Sequence, residues 1–319
     1  MSVTLIAAVV ALVLGHLAPS LAASVRQYGW YGDWIGWLNR QFPGDGFWRG
    51  QWGIALALVP PLLVVGLFQL AIDAQLLGVA ELLFGVAVLF YAWGPRDLDR
   101  DVNAILDAPD PLARAEAAEW LSIDGNPSLD GGNLVESVFR NAMRRWFGVL
   151  FWFLLLGPVG AILYRLLVLS VVAPSVAAVA SRNLPSGTAR GARTLLAMLE
   201  WPVAQLMTLA LALVGNFDAV LGAWRASGGA SFRLDRRFLG AVARASVRSE
   251  LADYAADYAA GEADDSVGES GVTASGPAAA ANPGLPDLPE LRDAMSLVWR
   301  CLLVWLAVLA LFVIAGFVS

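Results

Sequence analysis

The sequence predicts an all-α, polytopic membrane protein with about four spanning helices plus broken, re-entrant or interfacial ones. Three observations predict it. Of 319 residues, 58% are hydrophobic and only 15% charged, and the mean hydropathy is +0.63, above what a water-exposed surface tolerates. The apolar residues gather into runs near the roughly 20 residues that cross a bilayer. Glycine and proline interrupt two of those runs midway, where a straight helix would lose backbone hydrogen bonds.

The first run, from Val3 to about Ala23, has small residues at its end that resemble a signal-peptide cleavage site. No arginine precedes Arg26, so the run reads as a retained helix. Helices at about 52–70 and 76–93 then form a hairpin around Asp73, and 1–93 is the first membrane part. Trp48, Trp52, Tyr91 and Trp93 stand at the run ends, where amphipathic rings settle at headgroup level. Residues 94–146 mix arginines and acids and are expected to be cytoplasmic and helical, with one helix over Leu112–Trp120 and a turn at Asp124-Gly125-Asn126-Pro127. Residues 147–224 hold apolar stretches broken at Gly157-Pro158-Val159-Gly160 and at Glu200-Trp201-Pro202. The polar region 225–296 includes a Gly/Ala/Ser/Pro-rich stretch, 261–290, read as a flexible linker. A last spanning helix occupies 297–319.

Arginine placement chooses the topology. If all six apolar stretches crossed, Arg182, Arg190 and Arg193 would lie outside, against the bias that keeps basic residues cytoplasmic. If 147–180 and 196–224 stay at the surface or re-enter, four segments span and every arginine-rich loop is cytoplasmic. Non-spanning helices survive at membrane depth when protein buries them.

Composition excludes several classes. All 21 basic residues are arginine and the net charge is −6, with no basic face for nucleic-acid phosphates. One cysteine, Cys301, and one histidine, His16, preclude a disulfide within the chain and a His- or Cys-based metal cluster. Without lysine there is no phosphate loop of the Gly-Lys-Ser type, and no Gly-x-Ser-x-Gly elbow occurs. Two related halves of a transporter are not visible.

Glu136, Arg140, Asn141, Arg144 and Arg145 form the candidate anion- or partner-binding set. Residues 136, 140 and 144 recur every four and would stack on one helix face, where guanidinium groups offer paired donors to phosphate or carboxylate. The plainer alternative is interfacial arginines meeting lipid phosphates. Arg165, flanked by leucines, needs a partner at membrane depth, and Glu200 or Glu136 is expected to supply it.

The segment Val135-Glu136-Ser137-Val138 through Leu150-Phe151-Trp152, with Gly157-Pro158-Val159-Gly160-Ala161, Tyr164-Arg165 and Glu200-Trp201-Pro202, resembles the CobD/CbiB-like membrane family that includes adenosylcobinamide-phosphate synthase. In the synthase branch the positions of Arg140 and Arg144 are acidic, and an Asn-x-x-Asp element follows Tyr-Arg; this chain has Leu167-Val168-Leu169-Ser170 there. The pattern is more similar to the regulatory branch, the beta-lactamase regulatory signalling protein AmpE. That resemblance implies an inner-membrane, non-catalytic protein that modulates beta-lactamase induction and the response to beta-lactams, linked to cell-wall recycling. It implies no metal or cofactor, partners in the bilayer and among inner-membrane or cell-wall recycling proteins, and no nucleic acid. The alternative is a membrane-bound amide-forming synthase.

Overall fold

A computed structural model describes residues 6–7, 9–12, 14, 24–44, 46–73, 78–94, 97–122, 128–171, 183–231, 237–265 and 287–315. Every regular element among them is helical. Most of the expected first helix, the Asp124–Pro127 turn and residues 266–286 of the expected linker lie outside the described residues; 261–265 continue a helix.

A short helix, α1 (Gly29–Gln41), precedes two 3-10 turns, Phe47–Arg49 and Gln51–Gly53. Then α2 (Ile54–Asp73) and α3 (Val79–Ala92) make the expected hairpin. At 1.5 Å per residue, α2 is about 30 Å long, the thickness of the hydrocarbon core. It remains helical across Pro60 and Pro61, and Val59, Leu63, Val64, Leu67 and Phe68 are exposed, a face suited to lipid. Trp48 does not face lipid; it is buried beneath α1 and donates its indole N–H to Asn39 Oδ1 at 2.8 Å.

The polar region builds α4 (Leu98–Leu106), α5 (Pro111–Leu121) and α6 (Gly131–Ala142). Each begins with an aspartate, Asp97, Asp110 or Asp130, whose carboxylate accepts a hydrogen bond from a first-turn backbone N–H. A π-helical turn, Met143–Phe147, joins α6 to α7 (Gly148–Val171). After α8 (Ser186–Val214) come α9 (Phe217–Ala226), α10 (Arg237–Asp265) and α11 (Pro289–Ile314).

Four stretches are long and apolar enough to cross a membrane: Gln51–Ile72, Gly131–Val171, Ser186–Val214 and Pro289–Leu311. Contacts within the second of them give it another course. Within α7, Gly157 has φ +67°, a conformation that only glycine takes without strain, and the chain reverses there. A Cβ on Gly148 would strike the Tyr164 ring, and one on Gly160 would strike the Trp152 carbonyl. Both pairs are centred on residue 156, so 148–156 and 158–171 are antiparallel arms of a hairpin. Its tip meets Gln69, one turn from the end of α2. The two ends of α8 are anchored separately: Gly187, Thr188 and Gly191 press on the backbone of 48–51, and Gly215 lies against Ser246 and Leu297.

The expected break at Glu200-Trp201-Pro202 is absent; α8 runs unbroken through Pro202 and ends at Gly215. A proline inside a helix removes one hydrogen bond, a cost of about 3 kcal/mol, and burial of Leu196, Val203, Ala204, Met207 and Leu211 along the same face offsets it.

Candidate functional site

The polar centre grows from the π turn. A π turn carries one residue more than an α turn, so α6 and α7 fall out of phase. Arg144 and Arg145 thereby both turn inward, 7% exposed each. Arg144 Nε donates to Glu200 Oε1 at 2.8 Å, and Arg145 Nη1 donates to Asp101 Oδ2 at 2.6 Å. Two consecutive residues thus tie three elements together: α8, α4 and the turn itself. Of the expected stack of Glu136, Arg140 and Arg144, only the first two pair with each other; Arg144 instead reaches Glu200 on α8.

Glu136 and Arg140 remain together one helical turn apart, and Arg244 of α10 holds the other Glu136 oxygen. Gly240 allows that approach, since a Cβ there would strike the Glu136 carboxyl group. Asn141 faces the protein: its amide donates to the carbonyls of Leu121, at 2.8 Å, and Ser137, at 2.9 Å, which pins α5 to α6. The five sequence-derived residues therefore divide into an interior pair, an outer carboxylate bridged by two guanidinium groups, and a structural amide.

Arg165 is 1% exposed and pairs with neither Glu200 nor Glu136. It donates from Nε to the Ala92 carbonyl at 2.5 Å and from Nη2 to the Arg145 carbonyl at 3.4 Å. The hairpin explains the correction: it returns Arg165 to the end of α3, whose last carbonyls lack intrahelical partners and carry the negative end of the helix dipole. Arg26 and Tyr28 use the neighbouring carbonyls of Phe90 and Tyr91, with Arg26 Nε 3.0 Å from Phe90 O. Burial pushes the Tyr28 hydroxyl up to about 12 and lowers the Arg26 guanidinium from its ordinary value. Trp299 of α11 closes the centre, donating to Asp99 Oδ1 at 2.9 Å and packing on Trp146.

Asp101 was missed in the sequence but had a signal, because Leu98, Asp101, Val102 and Ile105 recur at helical spacing and place an acid on the buried stripe of α4. Arg244 and Arg26 had none, since their partners lie 108 and 64 residues away.

Chemically, the centre is a set of buried arginine–carboxylate ion pairs. Glu200 and Asp101 are each engaged by an arginine, an arrangement that fixes helices and disfavours a second cation beside them. Among the described residues, no group of three or more His, Cys, Asp or Glu side chains is placed to hold a metal ion.

The family model described as "CobD/Cbib protein" matches residues 4–226, more than half the chain. The chain belongs to the CobD/CbiB family. It is similar to the cobalamin biosynthesis protein CobD of Chromobacterium violaceum, with 36% identity over 127 residues. That match covers 37% of this chain and 38% of the relative's length. No solved structure matches the chain. The polar centre, from Arg26 to Glu200, lies inside the family-matched segment, whereas α10 and α11 lie beyond it.

Proposed function

We propose that this chain is an inner-membrane regulator built on the CobD/CbiB scaffold, without synthase activity, that modulates beta-lactamase induction in response to a cell-wall-derived signal. One observation carries the non-catalytic part. Positions 140 and 144 are acidic in the synthase branch that the sequence resembles; here they are arginines, and these bind the acids of the site: Arg140 with Glu136, Arg144 with Glu200. Metal-assisted condensation requires carboxylates free to hold a hydrated divalent cation. A carboxylate already ion-paired at 2.8 Å must first lose its arginine, and a buried arginine so released costs several kcal/mol.

The comparisons favour a second reading, an amide-forming synthase of the cobalamin pathway. Its support is the family match and the 36% identity to a protein named for cobalamin biosynthesis.

One experiment with two arms separates them. Beta-lactamase activity is measured with and without a beta-lactam inducer in cells that contain or lack the gene, and purified protein is assayed for condensing aminopropanol phosphate with adenosylcobyric acid. Altered induction with no condensation supports the regulator. Unaltered induction with condensation above background sinks it and establishes the synthase.

A further inference from the structure

Helix α1 has three distinct faces. Tyr31, Ile35 and Leu38 are buried against the core, while Trp30, Trp34 and Trp37, at the same i, i+4, i+7 spacing, form a second stripe with Trp30 43% and Trp37 45% exposed. The third face carries Asp33 and Arg40 at the surface. Thirteen residues, about 20 Å, cannot cross a bilayer. A helix with a tryptophan stripe beside a charged stripe fits the plane of the interface.

This surface continues beyond α1. Phe47 and Trp52 of the 3-10 turns are 60% and 74% exposed. The start of α8 is joined to both: Asn39 Nδ2 donates to the Asn183 carbonyl at 2.6 Å, Thr188 bonds the Trp48 carbonyl, and Gly187 and Gly191 let the backbones touch. Arg40, Arg49, Arg190 and Arg193 are all exposed on this collar. None of the four forms an ion pair among the described residues; Arg193 donates only to its own helix, at the Ala189 carbonyl. Asp33 is the one acid on α1.

We propose that this collar, formed by α1, the 3-10 turns and the first turns of α8, binds anionic phospholipid headgroups of the leaflet in which it lies. The aromatic rings set its depth at the ester and headgroup level, and the four guanidinium groups meet phosphate oxygens there. Lipid is the occupant because the collar leads directly into α2, whose apolar face is exposed, and because it carries exposed aromatic rings and arginines together. A folded soluble partner would require the tryptophan stripe to leave the bilayer.

The test uses the full chain purified from phosphatidylcholine nanodiscs and from nanodiscs containing phosphatidylcholine with phosphatidylglycerol, with lipid retention read by native mass spectrometry. The expected result is preferential retention of phosphatidylglycerol that weakens as salt rises. Substituting Arg40→Gln, Arg49→Gln, Arg190→Gln and Arg193→Gln together should reduce that retention at least about tenfold, with the melting temperature in pure phosphatidylcholine unchanged. Should the fourfold variant fail to fold, the salt titration on the unaltered chain and the Arg40→Gln/Arg190→Gln pair decide the matter. Equal retention of both lipids, salt-independent retention, or full retention by the variants overturns the proposal.

Discussion

At the scale of single residues, the buried arginines decide which substitutions the protein tolerates. Glu200 is fully buried and Arg144 nearly so. Truncating Glu200→Ala leaves a buried guanidinium without its carboxylate, and the expected cost is about 3–5 kcal/mol. Replacing both partners, Arg144→Met with Glu200→Leu, removes the charge and its partner together and should restore most of that loss. Unfolding of the purified protein in mixed micelles measures both; a double variant no more stable than Glu200→Ala would refute the pairing as the cause. Tyr28 makes a second prediction. Its hydroxyl ionises near 10 in an unfolded chain and at about 12 here, because burial disfavours the phenolate. A group raised on folding contributes stability that is complete below the unfolded value and disappears as pH rises through the folded one. Stability should therefore decline between about pH 10 and 12, by at most about 3 kcal/mol from this group. Tyr28→Phe should lose about 1 kcal/mol at neutral pH with its hydrogen bond to Tyr91 O, and the alkaline decline should be shallower by the Tyr28 share. An unchanged alkaline profile in the variant would assign the decline to other groups.

At the scale of elements, small residues decide where helices approach. Gly148 leaves no room for a methyl group against the Tyr164 ring, and Gly191 none against the Gln51 carbonyl. Gly148→Ala should open the hairpin and cost about 1–3 kcal/mol by overpacking; adding Tyr164→Ala should relieve the clash while leaving a void, so the pair is non-additive. Gly191→Ala presses on backbone rather than on a side chain and has no such rescue, a difference that melting temperatures of the three variants would show. The elements also show what the sequence could and could not convey. Apolar run length located α2 and α3 within a few residues, and the Gly157-Pro158 interruption marked the reversal of α7, because hydrophobic content and broken hydrogen bonding are local properties. Pro202 misled, since a helix interior is preserved by packing that only the folded neighbours supply. The π turn at Met143–Phe147 has no compositional signature, yet it carries both Arg144, which meets Glu200, and Arg145, which meets Asp101. Which acid meets which arginine depended on the phase of that turn and on the hairpin, both of which are tertiary.

At the scale of the whole molecule, the contacts imply a one-sided arrangement of ends. The α7 hairpin and the contacts at the ends of α8 lead us to expect the start of α2, both ends of that hairpin and both ends of α8 at one membrane face, with the α2–α3 turn at the other. Length and composition alone permit α7 and α8 to cross, so the two topologies make opposite forecasts for labelling. In a Cys301→Ala background, single cysteines replace Gly46, Leu129, Ser186, Asp218 and Gly78, all exposed. A membrane-impermeant maleimide applied to sealed, oriented vesicles should modify positions 46, 129, 186 and 218 from one side and position 78 from the other. If the α7 segment crossed, 129 and 186 would label from opposite sides; if α8 crossed, 186 and 218 would. Agreement of the four positions also bears on function, because it brings the Arg140–Glu136–Arg244 cluster and the arginines of the α1–α8 collar to one face. A signal read there arrives from the same compartment as the polar helices α4, α5, α6 and α10. A split result would separate the two clusters by the full thickness of the bilayer and leave no common surface for them to act on.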